Sequence, residues 1–181
     1  MKILAISGSL RTQSSNALLL QAAVRLAPEG MSVTLYQSLS ELPHFNPDLD
    51  GGRLPATVRE LRALLAAVDG VLISSPEYAH GIPGSLKNAL DWASREPDNR
   101  LLSGKPAAIV GAGGGMGTSR AQYHLRQVGV FLDLRFVNKP EVFSNAFSDS
   151  FDANGQLQDD RIKQLIAQQL DALLALAATL R

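Results

Sequence analysis

A three-layer α/β/α domain is predicted, built on an open sheet of five parallel strands in the order 2-1-3-4-5. Three features of the 181-residue chain lead to it. Short apolar runs alternate with helix-period segments from end to end, the pattern of parallel strands joined by helical crossovers. One of these runs, "GVLIS", is apolar throughout and reads as a strand buried on both faces. Three of the strands run directly into loops rich in Gly, Ser or Pro, where ligands lie in open α/β sheets.

The elements follow in order. "KILAIS" (2–7), a short apolar run followed by glycine, is a strand. Residues 14–27 begin with capping residues, repeat leucines at helical spacing and stop at Pro28, so they form a helix. "MSVTLYQ" (31–37) alternates and is a strand. Residues 38–56 hold three prolines and two adjacent glycines and form a long loop. A helix over 56–68 and a strand over 70–75 come next. Pro83 opens a helix over 83–94, where its missing N–H costs nothing. "KPAAIVGA" (105–112) is a strand, and 116–129 is a helix with Gly129 as its C′ residue. "FLDLRFV" (131–137) is the fifth strand, and "FDANGQLQ" is a turn. The last helix starts at about Asp159 and carries Ile162, Leu165, Ile166, Leu170, Leu173, Leu174 and Ala177 at helical spacing. Five strands and five helices make the flavodoxin-like arrangement. No repeat or linker divides the chain, so residues 1–181 read as a single domain, large enough to remove roughly 70% of its unfolded surface from water.

Composition excludes several classes. Seventeen basic residues balance seventeen acidic ones, without the basic excess of a nucleic-acid binder. There is no cysteine, which rules out disulfides, thiolate nucleophiles, Fe–S clusters and Cys-zinc sites, and fits a cytoplasmic protein. The apolar start is too short for a signal peptide or a membrane span, so no membrane partner is expected. His44, His80 and His124 give no metal-ligand spacing.

Three loops should meet near the switch point between strands 1 and 3. The first, residues 7–16, brings Gly8 for a tight turn, the hydroxyls of Ser9, Thr12, Ser14 and Ser15, the amide of Asn16 and the cation of Arg11 to a helix start. Free N–H groups and partial positive charge make that a phosphate cradle. The same residues also read as an ordinary capped helix with Arg11 in solvent. No Gly-Lys-Ser/Thr follows, so this is not a Walker loop, and strand 2 ends in Tyr36-Gln37 with no acid for a ribose.

The second loop, "SPEYAHGIPG", has Pro76 to hold Ser75 extended and Tyr78 to lie against a flat ring. Tyr78 reads equally as a packed aromatic, and His80 as a surface histidine or an acceptor contact. Glu77 reads as a hydrogen-bonded structural acid rather than a general base. The third loop, "GAGGGMG" (111–117), has five glycines in seven positions, with Met116 where a dinucleotide fingerprint needs glycine. It suits close backbone approach to a flat partner, or a flexible turn. A phosphate site at one end and two backbone walls at the other match the shape of flavin mononucleotide (FMN).

The stretches "GSLRTQSSN", "SPEYAHGIPGSLKNALDW" and "GKPAAIVGAGGGMGTSRAQYHLRQV", in that order and spanning nearly the whole chain, resemble the NADPH-dependent FMN reductase family. The resemblance implies bound FMN, NADPH or NADH as co-substrate, a quinone, free flavin, azo dye or chromate as acceptor, and a homodimer or homotetramer. It implies that Ser9, Arg11, Ser14 and Asn16 hold the phosphate, with Pro76, Glu77 and Tyr78 on one side of the ring and Ala112, Gly113 and Gly114 on the other. Some members read Pro-Glu-Tyr-Asn; here Ala79 and His80 follow the tyrosine, so a side-chain hydrogen bond is lost. Two-electron ping-pong transfer needs no catalytic acid–base pair, because the cofactor carries the chemistry. The rival reading is a one-electron carrier; such carriers are strongly acidic, and this chain is neutral. Subunit contacts are expected from Leu86, Leu90 and Trp92 on one helix, and from Arg120, Tyr123, Arg126 and Gln127 on the next, the latter stripe reading equally as a solvated face with one packed tyrosine.

Overall fold

A computed structural model describes residues 1–50, 52–95, 101–146 and 150–180. Its elements are β1 (Lys2–Ser7), α1 (Ser15–Arg25), β2 (Ser32–Tyr36), α2 (Ala56–Ala66), β3 (Gly70–Ser74), α3 (Gly84–Ala93), β4 (Pro106–Gly113), α4 (Ser119–Phe131), β5 (Arg135–Phe136), β6 (Val142–Asn145) and α5 (Asp160–Thr179). The strand order is β2-β1-β3-β4-β5, and every pairing is parallel. This is the flavodoxin-like order that the alternation predicts.

Strand alternation divides the core into two layers. Leu4, Ile6, Val71, Ile73, Ala107 and Ile109 face α2, α3 and α4. Ile3, Ala5, Leu72, Ala108 and Val110 face α1 and α5. All five residues of β3 are buried, as a strand covered on both sides requires. No helix among the described residues is long and apolar enough to cross a membrane.

The fifth position of the sheet is shared, which the sequence reading misses. β5 pairs only with Pro106 and Ala107 at the start of β4. β6 pairs with Val110–Gly113 at its end. The expected strand over 131–137 is shorter because α4 runs on to Phe131 and closes at Leu132–Leu134. There Asp133 takes a left-handed φ of 54°, its N–H bonds Val130 O, and Leu134 N–H bonds Gly129 O. That is a Schellman closure with aspartate in the glycine position. Gly129 is therefore inside the helix and not its C′ residue. Its lack of a side chain serves packing: a Cβ there would lie 2.1 Å from the Phe136 ring.

The long loop before α2 contains two 3-10 turns, Leu39–Glu41 and Pro47–Leu49. Side chains of α3 tie it down: Asn88 Nδ2 and Trp92 Nε1 both donate to Pro43 O, at 2.9 and 2.8 Å. Trp92 and Leu86 are fully buried and Leu90 is 3% exposed, so the subunit contact expected of them is corrected: all three belong to the core.

Candidate functional site

The carboxyl ends of β1, β3 and β4 converge. Ser7 is level with Ser74, and Ser74 with Val110. Gly8 N–H donates to Ser74 O at 2.8 Å, Ser75 N–H to Val110 O at 3.1 Å, and Ser85 Oγ to Gly8 O at 3.1 Å. The three loops leaving these strands are thus sewn to one another rather than merely close. Ser9, Arg11, Ser14, Asn16, Pro76, Glu77, Tyr78, Ala112, Gly113 and Gly114 all line one open cleft. Ser15 and Ala146 complete it. The sequence predicts no strand over 142–145 to deliver Ala146; the apolar pair Val142-Phe143 shortly after Pro140 is the available signal.

On the first loop, Ser14 is the N-cap of α1 and is buried, its Oγ accepting from Ala17 N–H at 3.3 Å. Leu18 N–H bonds Ser14 O. Among the described residues, the first-turn N–H groups of Ser15 and Asn16 have no protein acceptor, and they sit at the positive end of the helix. Arg11 donates one bond from its guanidinium, to Gln13 O at 2.6 Å, and is otherwise exposed. Asn16 behaves differently from its assignment as a side-chain anion ligand. Its Nδ2 donates to Ala112 O at 2.9 Å, while its Oδ1 accepts from Ala112 N–H at 3.0 Å and Ser74 Oγ at 2.9 Å. The buried amide is spent fastening α1 to the ends of β3 and β4, which leaves Asn16 only its backbone N–H to offer at the cleft.

On the second loop, the Glu77 side chain is 6% exposed and paired with Arg120. It also accepts from the backbone N–H groups of Arg120 at 3.0 Å and Ala121 at 3.2 Å, capping α4 from outside the helix. Burial alone would raise its carboxyl; the Arg120 and Ala121 hydrogen bonds overcome this and hold it below the usual carboxylate range. Glu77 is a structural acid, as its sequence context suggests. It pins the loop to α4.

Tyr78 and Gly81 exchange backbone hydrogen bonds at 3.1 and 3.0 Å, closing a two-residue turn over Ala79 (φ 48°) and His80 (φ 64°). Two positive φ values in succession define the type I′ geometry, for which Asn-Gly is the favoured pair. The departure from Pro-Glu-Tyr-Asn therefore falls on a left-handed position. Substituting Ala79→Asn together with His80→Gly should relieve that conformation and raise stability by about 1–2 kcal/mol. A shift of the urea midpoint to higher concentration at unchanged m-value would register it. Tyr78 is half-exposed at the cleft mouth, and His80 points to no protein partner in the described contacts.

The glycines of the third loop mostly serve the fold. A Cβ on Gly111 would lie 1.9 Å from Thr118 Oγ1 and 2.7 Å from Ser75 O, and one on Gly113 would lie 2.1 Å from Gly117 O. Gly117 has a φ of 59°. At Gly115 the added Cβ space is open. Among the described residues no group of three or more His, Asp or Glu is placed to hold a metal ion.

The model of the NADPH-dependent FMN reductase family matches residues 1–149. An NAD(P)H-dependent FMN reductase of Pseudomonas aeruginosa is 50% identical over 173 residues, covering 95% of this chain and 92% of that protein. An NAD(P)H:quinone oxidoreductase of Solanum tuberosum is 47% identical over 186 residues, covering 99% and 94%. The structure of FerB from Paracoccus denitrificans, a flavoenzyme NAD(P)H:(acceptor) oxidoreductase, superposes with a TM-score of 0.88 at 29% identity, covering 98% of this chain and 97% of that one. On the family match and on identity over almost the full length, the chain belongs to the NADPH-dependent FMN reductase family.

Proposed function

We propose that the cleft holds FMN, its phosphate at the start of α1 and its ring system between the Pro76–Tyr78 and Ala112–Gly114 walls, and that the protein is an NAD(P)H-dependent reductase of quinones and related acceptors. The observation that carries this is the convergence of three loops, from three strands, on one cleft lined by all ten residues. The donor set suits a phosphate: two unpaired helix N–H groups, the hydroxyls of Ser9 and Ser15, and the free edge of Arg11. Tyr78, half-exposed at the mouth, offers an aromatic face to a flat ring.

FMN bound there would supply the redox chemistry, accepting a hydride from NAD(P)H and returning two electrons to the acceptor in a second half-reaction. The chain's part is to bind and orient. Arg11 and the α1 terminus neutralise the anion. Asn16 fixes the Ala112 wall from behind. The Glu77–Arg120 pair fixes the other wall against α4. The lining contains no His, and its one acid, Glu77, is fully hydrogen-bonded, which agrees with a reaction that needs no protein acid–base pair.

Anaerobic stopped-flow mixing of the FMN-loaded protein with NADPH tests the function. The absorbance near 450 nm, roughly where any oxidised flavin absorbs, should bleach within a turnover and return when a quinone is added. A flavin that binds but is not bleached by NADPH or NADH would leave only a one-electron carrier.

Homo-oligomerisation belongs to the same proposal. Tyr123, Val130 and Phe131 are 68%, 81% and 73% exposed on α4. With Gln127 they recur at i, i+4, i+7 and i+8, so one face of the helix presents three large, exposed apolar side chains. Arg126 is drawn off this face, bonding Asn138 and Val137 O. Phe131→Glu combined with Tyr123→Ala should lower the mass measured by light scattering; an unchanged mass would place the contact elsewhere.

A further inference from the structure

One helix, α4, reaches both walls of the cleft. Toward the third loop it presents its N-cap residue Thr118 and, one helical turn on, Gln122. Thr118 is fully buried, and its Oγ1 lies 1.9 Å from where a Cβ on Gly111 would stand. Gln122 Nε2 donates to Thr118 Oγ1 at 3.1 Å and to Val142 O at 2.9 Å, so the same amide also holds β6, which delivers Ala146 to the cleft. Toward the second loop the helix presents Arg120 and His124, again one turn apart. Arg120 pairs with Glu77. His124 Nδ1 accepts the backbone N–H of Ile82 at 3.4 Å. The ring lies directly against Gly81, where an added Cβ would meet Nδ1 at 3.1 Å.

Glu77 and Ile82 bracket the Tyr78–Gly81 turn. Among the described residues, the backbone groups of 78–81 bond only one another. Ala79 and His80 both have positive φ, which residues other than glycine keep only where the surroundings over-determine it. Here the surroundings are the two ends of the turn. At one, the buried Glu77 carboxylate is fastened to the start of α4. At the other, Ile82 is 8% exposed and its N–H is taken by His124. An Nδ1 that accepts a hydrogen bond carries no proton, so the imidazole serves here as an acceptor. A turn held at one end can swing about it; held at both, it fixes where Tyr78 stands.

We infer that His124 is a positioning residue for the cleft: by accepting the Ile82 N–H it locks the second-loop wall onto the helix that also braces the third-loop wall, and so sets the gap that receives the flavin ring. The inference rests on the proposed FMN reading for the identity of the ring, but not for the brace itself. His124 does not line the cleft, so it acts through Ile82 and the turn that carries Tyr78.

The test compares His124→Leu, of similar bulk but with no acceptor, with His124→Asn, whose Oδ1 stands as many bonds from the backbone as Nδ1 does. Amide hydrogen exchange of the apo protein, followed by NMR, reads the brace directly. The Ile82 amide should exchange about tenfold faster in His124→Leu and near the wild-type rate in His124→Asn. Quenching of flavin fluorescence reads the gap. His124→Leu should weaken FMN and riboflavin by the same factor, about five- to tenfold, the net worth of one hydrogen bond. The factor is shared because both ligands carry the ring and only FMN carries the phosphate. His124→Asn should restore both affinities. His124→Ala repeats the comparison should leucine disturb the fold, with urea midpoints reporting which variants are folded. The proposal is overturned by an Ile82 amide that exchanges no faster in the leucine and alanine variants, or by flavin affinities that these variants leave unchanged. It is overturned equally by an asparagine variant as weak as the leucine one, or by a loss confined to FMN, which would place the effect at the phosphate end. The exchange measurement needs no flavin, so a wild-type protein that binds neither flavin while its Ile82 amide responds as described would sink the FMN reading and leave the brace standing.

Discussion

Replacing Arg62 with alanine should cost about 3 kcal/mol, the scale of a broken buried ion pair. Arg62 is only 6% exposed although it lies in the middle of α2. Its Nε and Nη2 donate to Trp92 O at 3.1 and 3.0 Å, and its Nη1 and Nη2 reach the two Asp50 oxygens at 2.9 and 3.3 Å. The guanidinium also stands 6.0 Å from the centre of the Trp92 ring. One side chain therefore joins α2, the end of α3 and the long loop before α2. For a chain of this length the loss corresponds to a melting temperature lower by about 6–12 °C. Arg62→Lys should recover only part of it, because an ammonium cannot present two forked bonds in one plane. Thermal unfolding of the two variants followed by circular dichroism decides the matter; a drop under about 1 kcal/mol in Arg62→Ala would mean that the Asn88 and Trp92 bonds to Pro43 O hold the loop without it.

Asn16→Ala should cost a similar amount, about 3 kcal/mol, and should weaken flavin binding at least tenfold. The stability term follows from what is left behind: the N–H and C=O of Ala112 and the hydroxyl of Ser74 lose their partner in a region closed to water. The binding term follows from geometry, since Ala112 begins the wall opposite Tyr78. Asn16→Asp separates the two roles. It keeps an acceptor for Ala112 N–H and Ser74 but sets a carboxylate against Ala112 O, so it should be destabilised while still holding the α1 start in place. Urea unfolding gives the first term, and titration of the apo protein with FMN, followed by quenching of the flavin fluorescence, gives the second. Wild-type flavin affinity in Asn16→Ala would show that the wall is positioned without it.

Much of this was legible in the chain itself. The apolar runs of β1, β3 and β4 declare themselves because a strand buried on both faces has no polar side to show. Ser14 and Asp159, each three residues before the N–H it caps, mark the starts of α1 and α5 by local chemistry alone. The meeting of the three loops at one cleft was legible because parallel topology puts the carboxyl ends of successive strands on one edge, whatever the loops contain.

Other assignments depended on partners distant in sequence. Trp92, Leu86 and Leu90 have the same apolar character whether they face a core or a second subunit, and only the packing of α3 on the sheet, with the Pro43 loop over Trp92, decides it. Gly129 reads as a helix stop until Phe136 is seen to occupy its missing side chain. Asn16 and Arg62 look like surface polar residues because nothing local reveals that Ala112, 96 residues away, or Trp92, 30 residues away, is their partner. The sequence by itself determined the order of elements as far as α4 and the edge of the sheet where the three loops meet, since both follow from periodicity and connection rules that act over short stretches. The tertiary structure alone decided which polar groups are spent inside the fold and which stay free for a ligand, because a hydrogen bond is satisfied by whatever the fold brings within 3 Å, and sequence spacing does not record that distance.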